Sequence, residues 1–207
     1  MRSWISGNRY GYWEDGVLAR GRHGVLFNLK KQMLIQAYQR SWEHDFQQIK
    51  ETLEDNMVID DLTIEHVGST SVKGLAAKPI IDIDIVYKKP ASFHEIKRGL
   101  ETLDYYHNGN QGIVGREVFK RNKIDRNHVI LDAITHHLYV CHIDSEELHK
   151  HLIFRDYLRE NQQAREAYER LKYEIAEIAN QDRKAYAKLK EIKARTFVES
   201  VLAKGGR

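Results

Sequence analysis

The segment Ile64–Tyr87, IEHVGSTSVKGLAAKPIIDIDIVY, decides the fold class of this chain and carries its strongest functional signal. It has the pattern of a strand, a Gly-Ser loop and a second strand. Because side chains alternate along a strand, the isoleucines of 81–85 lie on one face, and Asp82 and Asp84 lie on the other. The isoleucine face is therefore predicted to be buried, and the paired carboxylates are predicted to face a cavity or solvent.

Asp82 and Asp84 also indicate a ligand. Two neighbouring carboxylates repel each other, so the pair favours a cation between them, and hard oxygen ligands suit Mg²⁺. The Gly68-Ser69 turn offers backbone N–H groups and a hydroxyl to a phosphate. Since turn and carboxylates fall at the ends of neighbouring strands, one ligand would touch both, which favours phosphoryl or nucleotidyl transfer. The alternative, an Asp-x-Asp pair on a solvated strand face, stays open.

Length and composition limit the class of protein. A chain of 207 residues fits one domain, or one domain with a helical annex. It contains no apolar run near the roughly 18 residues of a membrane helix, and its first residues lack the apolar core of a signal peptide. Cys141 is the only cysteine, which excludes an internal disulfide and a thiolate metal cluster. We therefore expect a cytoplasmic protein that does not cross a membrane.

Residues 1–32 differ from the remainder. They carry six Lys or Arg and two Asp or Glu, so of the net charge of +3 they hold +4 and leave −1 for the body. A near-neutral body gives little support for nucleic-acid binding. The same stretch has five glycines and no clear helical or strand period. We favour an N-terminal extension, either non-native or translated from an upstream start, with Met33 as the natural start. The alternative is an arm whose aromatic residues dock on the body. These aromatic residues are Trp4, Tyr10, Tyr12, Trp13 and Phe27.

Helix starts are predicted from capping residues. Ser41 is expected to cap a helix whose apolar positions follow at helical spacing. Ser92 with Glu95 three residues later forms a capping box. Asp144 and Glu147 form a similar start, after which the apolar pattern predicts three consecutive helices.

Further strands are predicted in the middle of the chain. Val118-Phe119 suggests a short strand, and Val129–Leu131 and Ile134–Ile143 suggest two strands around a turn near Asp132. In the last of these strands alternation gives His136 and His137 opposite faces. The predicted fold class is α+β, a mixed sheet flanked by helices and followed by a helical C-terminal third.

Several segments together resemble the GrpB family (UPF0157 type). The first is HVGSTSVKGLAAKPIIDIDI, and the others are GREVFK (115–120), HHLYVC (136–141), FRDYLR (154–159) and Y-x-x-x-W at Tyr38–Trp42. The resemblance covers about residues 33–204. That family is assigned to the polymerase-β-like nucleotidyltransferase superfamily, whose motif is a Gly-Ser at a helix start followed by Asp-x-Asp on a strand. The resemblance thus implies a nucleotidyltransferase-like domain over 33–207, with 1–32 outside it.

The resemblance also implies roles. Asp82 and Asp84 would hold Mg²⁺, and a nucleoside triphosphate would be the substrate or ligand, with an unidentified acceptor. The candidates for phosphate binding are Gly68, Ser69, Thr70, Lys78 and Arg116. Lys78 precedes the aspartate strand, where it would either neutralise a triphosphate or be solvated. Arg116 lies in a family-like segment.

A third carboxylate is usual in that superfamily, and this chain has no unambiguous one. Asp132 is a candidate metal ligand, although it falls at an apparent turn, and Glu65 is another acid nearby. His136 and His137 stand where an acid is expected. We favour His137 as the third catalytic residue beside Asp82 and Asp84, acting as a general base or a metal ligand.

Three functions follow as hypotheses. The first is a Mg²⁺-dependent transferase that moves a nucleotidyl group from a nucleoside triphosphate to an unknown acceptor. The second is a non-catalytic nucleotide-binding or interaction module that keeps the site without the third acid. The third is a metal-dependent hydrolase with aspartate and histidine ligands.

Overall fold

The computed structural model describes the backbone of residues 12–13, 16–20 and 26–29, and all of 33–206 except 58, 60–61 and 123–127. The chain forms two units, residues 1–33 and 34–207. The described strands are β1 (Tyr12–Trp13), β2 (Gly16–Arg20), β3 (Leu26–Leu29), β4 (Thr63–Val67), β5 (Ile81–Tyr87), β6 (Tyr105–His107), β7 (Arg116–Arg121) and β8 (His136–His142). The described α-helices are α1 (Ser41–Asn56), α2 (Ser92–Thr102), α3 (Val129–Ala133), α4 (Glu146–Glu160), α5 (Gln162–Ile178), α6 (Arg183–Lys193) and α7 (Arg195–Gly205).

The first unit contains a small antiparallel sheet in the order β1-β2-β3. The sequence shows no clear helical or strand period in residues 1–32, but the structure describes three short strands there. Strands of two to five residues are too short to give a clear alternation. The aromatic side chains of the docking alternative lie outside the described residues, and Met33 as the natural start remains a prediction.

The second unit is built on a five-stranded sheet in the order β4-β5-β8-β7-β6. Strands β5 and β8 are parallel, and the other neighbours are antiparallel. This mixed sheet, its flanking helices and the helices that follow β8 confirm the predicted α+β class. Within the described ranges, no helix has both the length and the apolar character needed to span a bilayer.

Strand register gives the sheet two different faces. The isoleucines of 81–85 are 0–1% exposed and pack against α1 and α2, as predicted; we call this the core face. Asp82 and Asp84 lie on the opposite side, the site face. There β8 places His137 level with Asp82 and Tyr139 level with Asp84. The two polar pairs therefore form a compact patch on neighbouring parallel strands.

Residues Val129–Leu131 are helical, so their prediction as a strand was wrong. They begin α3, a single short helix. The Nδ1 atom of His128 accepts from the Leu131 N–H at 3.4 Å, and Asp132 Oδ2 accepts from the His128 N–H at 2.8 Å. These local bonds close a helical turn, while a short apolar run by itself does not separate helix from strand.

Two predicted helix caps are absent. Ser41 and Ser92 are the first helical residues, preceded by Arg40 and Ala91 in helical conformation without a side-chain cap. The cap of α4 is Ser145 rather than Asp144, because Ser145 Oγ accepts from a backbone N–H of the first turn. The starts of α1, α2 and α4 were thus predicted within one or two residues, but their capping chemistry was not.

The helical third contains four described helices where the sequence predicted three. The third predicted helix is divided at Ala194 into α6 and α7. Ala194 is buried against Val72 and Leu75, and beyond it Phe197 stacks on Tyr168 with ring centroids 5.1 Å apart. The turn therefore places α7 back against α4 and α5, a tertiary contact that helical spacing does not reveal.

Candidate functional site

Gly68 lies between β4 and the turn and packs against Asp82 of the neighbouring strand β5. It has φ +70°, and the 3₁₀ turn Ser69–Ser71 follows it. A Cβ atom built on Gly68 would lie 2.3 Å from Asp82 Oδ2, closer than two such atoms approach. Only glycine suits both the backbone angle and the contact. The turn and the carboxylate are thus in direct contact, as expected from their order in the sequence.

The hydroxyls of the turn have different uses. Thr70 is buried, and its Oγ1 donates to Ile80 O at 3.1 Å while it accepts from His66 Nε2 at 3.1 Å. Ser71 Oγ donates to Gly68 O at 2.7 Å. Among the described residues, the Ser69 hydroxyl has no such partner. Ser69 is therefore the side chain of the turn that is available to a ligand, whereas the Thr70 hydroxyl stabilises the turn itself.

His66 supports the turn from the core face. Its ring stacks on Phe46 with centroids 4.6 Å apart, and burial lowers the pKa of His66 to about 4 despite the opposing effect of Asp82. The imidazole is neutral at physiological pH, with Nε2 carrying the proton that Thr70 accepts. His66 is therefore a structural residue of the turn.

We expect His66 to destabilise the fold in acid. Between its unfolded pKa near 6.5 and its folded pKa near 4, the unfolded chain binds a proton that the folded chain does not, so stability falls as pH falls. The free energy of unfolding should drop by about 2–3 kcal/mol more between pH 7 and pH 4.5 in the native protein than in His66→Gln. Urea denaturation at both pH values measures this difference, and equal losses in the two proteins would contradict it.

Asp82 pairs with His137 on the site face. His137 Nδ1 lies 2.9 Å from Asp82 Oδ1, and the His137 side chain is 51% exposed. Both residues line a cavity. With Nδ1 held by the carboxylate, Nε2 is left to exchange a proton with a ligand. His136 points the other way, and its Nε2 meets the Tyr105 hydroxyl at 2.5 Å in the core. The structure thus brings His137, and not His136, to the aspartates.

Asp84 is fully buried and bound by a histidine that the sequence did not single out. His151 of α4 places Nδ1 2.7 Å from Asp84 Oδ2 and Nε2 3.5 Å from Glu147 Oε1. Burial opposes the charge of His151, but hydrogen bonds to Asp84 and Glu147 outweigh it and raise its pKa to about 9. The Asp84 Oδ1 atom is buried without a hydrogen-bond partner in the described part of the chain.

Glu147 and His151 were missed for a specific reason. Their spacing of four residues puts both on one face of a helix, which is a signal that the sequence contains. Nothing in the sequence, however, says that this face of α4 covers Asp84. Only the packing of the helical third on the sheet brings the pair to the site.

The two other candidate acids, Asp132 and Glu65, lie on opposite faces of the sheet. Asp132 bonds to Arg121 Nε at 3.1 Å, and Arg121 lies on the core face because it is two residues from Phe119, which is paired with Leu138. The structure therefore does not bring Asp132 to Asp82 and Asp84, since it lies across the sheet from them. Glu65 is on the site face, level with Asp84, and forms an ion pair of 2.7 Å with Arg155.

The two predicted phosphate-binding cations are separated. Lys78 lines the cavity, with Nζ 4.0 Å from the centre of the Tyr186 ring. Arg116 does not line it; its guanidinium lies over the Tyr139 ring at 4.6 Å, and its Nε is buried without a partner among the described residues. Arg116 therefore stands behind Tyr139 rather than beside Lys78.

The cavity has a volume of about 770 Å³ and lies between the site face, the Gly68 turn and helices α4 to α7. The C-terminal helices also hold residues 71 and 76 of the loop between β4 and β5. Arg159 donates to Ser71 O at 3.0 Å, Glu169 accepts from Ala76 N at 2.8 Å, and Lys172 donates to Ala76 O. The C-terminal helices are thus part of the site and not an annex to it.

The donor set suits a magnesium ion. Mg²⁺ in phosphate-processing sites is commonly held by one or two carboxylates, with water and substrate phosphates completing the shell. Asp82 and Asp84 supply two carboxylates, and the unpartnered Asp84 Oδ1 supplies a free oxygen. In the described ranges no group of three or more His, Cys, Asp or Glu residues is arranged to hold a metal. The two carboxylates therefore fit a cation whose remaining ligands are water and phosphate oxygens.

The fold and the site define an α+β protein in which Asp82 lines a cavity between the sheet and the C-terminal helices. Asp84 is fully buried beside it, so the prediction that both carboxylates face a cavity or solvent holds for Asp82 alone. Comparison with known proteins identifies the family: the family model described as GrpB protein matches residues 32–204. The chain belongs to the GrpB family, which confirms the resemblance seen in the sequence.

Individual relatives support the same family assignment. The chain is 30% identical to the glutamate-rich protein GrpB of Alkalihalophilus pseudofirmus over 84% of its own length and 95% of that protein. It is 31% identical to the UPF0157 protein YqkA of Bacillus subtilis over 76% of its length, but spans only 44% of that relative. The crystal structure of the conserved protein GrpB from Enterococcus faecalis matches 84% of this chain and 99% of that one, with a TM-score of 0.68 and 29% identity.

Proposed function

We propose that this protein is a nucleotidyltransferase that moves a nucleotidyl group from a nucleoside triphosphate to an acceptor hydroxyl. The observation that carries the proposal is the Asp84 Oδ1 atom, which is buried without a hydrogen-bond partner among the described residues. It lies next to Asp82, whose carboxylate touches the Gly68 turn. Backbone N–H groups of a tight turn, Asp82 in the cavity wall and Asp84 two residues further along the same strand face are the kinds of group that a metal-bound phosphate requires.

Each residue has a defined task in this proposal. Gly68 and Ser69 bind phosphate oxygens through backbone N–H groups and the free hydroxyl. Asp82 and Asp84 would hold Mg²⁺, which would neutralise charge on the phosphates. His137 accepts the proton of the acceptor hydroxyl at Nε2, because Asp82 orients its Nδ1.

A specific observation favours a second candidate, a nucleotide-binding module without turnover. On β8, His137 lies level with Asp82 and Tyr139 lies level with Asp84, so neither of these positions supplies a third acid. This candidate differs from the first in one measurable respect: nucleotide binds, but pyrophosphate is not released with any acceptor.

The acid pair provides the test. Asp82→Asn combined with Asp84→Asn should abolish pyrophosphate release and weaken Mg²⁺-dependent nucleotide binding at least about tenfold, because each lost carboxylate removes a charged metal ligand. Calorimetric titration with each nucleoside triphosphate, with and without Mg²⁺, measures binding. Asp144→Asn, an exposed aspartate outside the cavity, is the matched control and should behave like the native protein. Unchanged nucleotide affinity in the double variant would refute both candidates.

A further inference from the structure

We propose that Lys78, Lys172 and Lys190 form a polyphosphate-binding subsite, and that it holds the β- and γ-phosphates of the nucleotide. We call these three residues the lysine subsite. The assignment to a nucleotide rests on the proposed function, whereas the affinity for polyphosphate does not.

The lysine subsite is assembled from three distant parts of the chain. Lys78 precedes β5, Lys172 lies on α5 and Lys190 lies on α6, and all three line the same cavity as Asp82. They surround two tyrosines. Lys78 Nζ lies 4.0 Å from the ring centre of Tyr186, and Lys172 Nζ lies 4.8 Å from that of Tyr168. Tyr168 also interacts electrostatically with Lys190.

None of these lysines has a carboxylate partner in the described part of the chain. Every ion pair seen there involves other residues, although Glu147, Glu191 and Glu199 also line the cavity. The nearest acid to Lys172 in sequence, Glu169, uses its carboxylate to accept from a backbone N–H. Uncompensated ammonium groups in a shared, partly desolvated space are costly, and an anion relieves that cost.

The lysines act on one another. Burial, and then the charge of Lys190, lower the pKa of Lys78 to about 8 and the pKa of Lys172 to about 7. Tyr168 raises the pKa of Lys190, so this lysine keeps its charge. Such repulsion between lysines is expected in a polyanion site without its ligand, because a bound anion would stabilise the charged form of all three lysines.

The size of the charge points to a polyphosphate. A carboxylate supplies one negative charge, whereas a diphosphate or triphosphate supplies several, distributed over oxygens that suit compact ammonium donors. Asp82 lines the same cavity as Lys78 and Lys190, and its charge raises the pKa of both lysines. A triphosphate chain that begins at Asp82 and the Gly68 turn would therefore end among the lysines.

The fold explains how a buried lysine is retained there. Lys172 is 2% exposed and donates to Ala76 O, while Glu169 accepts from Ala76 N. Helix α5 therefore holds one residue of the loop, Ala76, through both its N–H and its C=O. This contact fixes the loop two residues before Lys78, so that the same bond both satisfies Lys172 and positions Lys78.

Tripolyphosphate titration tests the lysine subsite without turnover. In EDTA, calorimetry should show one site per chain, and Lys78→Gln combined with Lys190→Gln should weaken it about 10–100-fold, the effect of losing charged hydrogen-bond donors. The matched control is Lys188→Gln combined with Lys193→Gln on α6, two exposed lysines outside the cavity, which should change the affinity less than about twofold. An equal loss in both double variants would overturn the subsite.

Competition tests the assignment to the nucleotide. ATP should displace tripolyphosphate, and AMP should displace it far less well. The Lys78→Gln and Lys190→Gln changes should weaken the binding of ATP as much as they weaken the binding of tripolyphosphate. Simultaneous binding of ATP and tripolyphosphate would overturn the assignment. The proposed function fails separately: absence of Asp82-dependent transfer, with lysine-dependent tripolyphosphate binding retained, refutes the transferase and leaves the subsite.

Discussion

Gly68→Ala should remove nucleotide binding and lower the free energy of unfolding by about 2–5 kcal/mol. The new methyl group would lie 2.3 Å from Asp82 Oδ2 at a backbone angle that favours glycine. Either the turn moves away from β5 or Asp82 rotates out of the site. Both movements separate the backbone N–H groups from the acid pair, so binding should fail even in molecules that remain folded. Calorimetric nucleotide titration and urea denaturation measure the two effects.

Gly74→Ala is the matched control for this experiment. Gly74 also has a positive φ, of +80°, but its nearest neighbour to an added Cβ is Arg165 Nε at 4.0 Å. We expect this variant to lose only the backbone contribution, about 1–2 kcal/mol, and to keep its nucleotide affinity. Equal losses of affinity in the two variants would show that the Gly68–Asp82 contact has no special role.

His151→Leu should be the most destabilising of the site-face substitutions, with a loss of about 3–5 kcal/mol at pH 7. Asp84 is fully buried, and its Oδ2 is satisfied by His151 Nδ1 at 2.7 Å. Removal of the imidazolium leaves an unpaired carboxylate in the protein interior, which must either carry its charge without compensation or take up a proton. Urea denaturation at pH 7 measures the loss.

A double-mutant cycle measures the interaction energy between Asp84 and His151. Asp84→Asn in the His151→Leu background should recover a substantial part of the lost stability, because it removes the buried charge that the first change exposed. His149→Leu, at an exposed position two residues away on α4, is the control and should change stability by no more than about 0.5 kcal/mol. A loss in His151→Leu no larger than this control, or no recovery in the double variant, would contradict the ion pair.

The sequence predicted the part of the site that is local. Gly68, Ser69, Asp82 and Asp84 lie within one strand-turn-strand segment, so their order along the chain nearly fixes their relation in space. The choice of His137 over His136 also follows from strand alternation, provided that β8 is next to β5. Sequence reasoning did not place Asp132, because the hydrogen bonds that turn residues 129–133 into a helix involve a histidine ring and not a pattern of apolar residues.

The sequence by itself determined the α+β class, the buried isoleucine face of β5 and the pairing of a tight turn with two acids, because period-2 alternation and glycine chemistry act over a few residues. The tertiary structure alone decided what surrounds those acids. His151 reaches Asp84, and Lys172 and Lys190 reach the cavity, because α4 to α6 pack against the sheet and the Gly68 loop. A helix pattern specifies which side chains share a face, but the partner of that face depends on packing across more than sixty residues of chain.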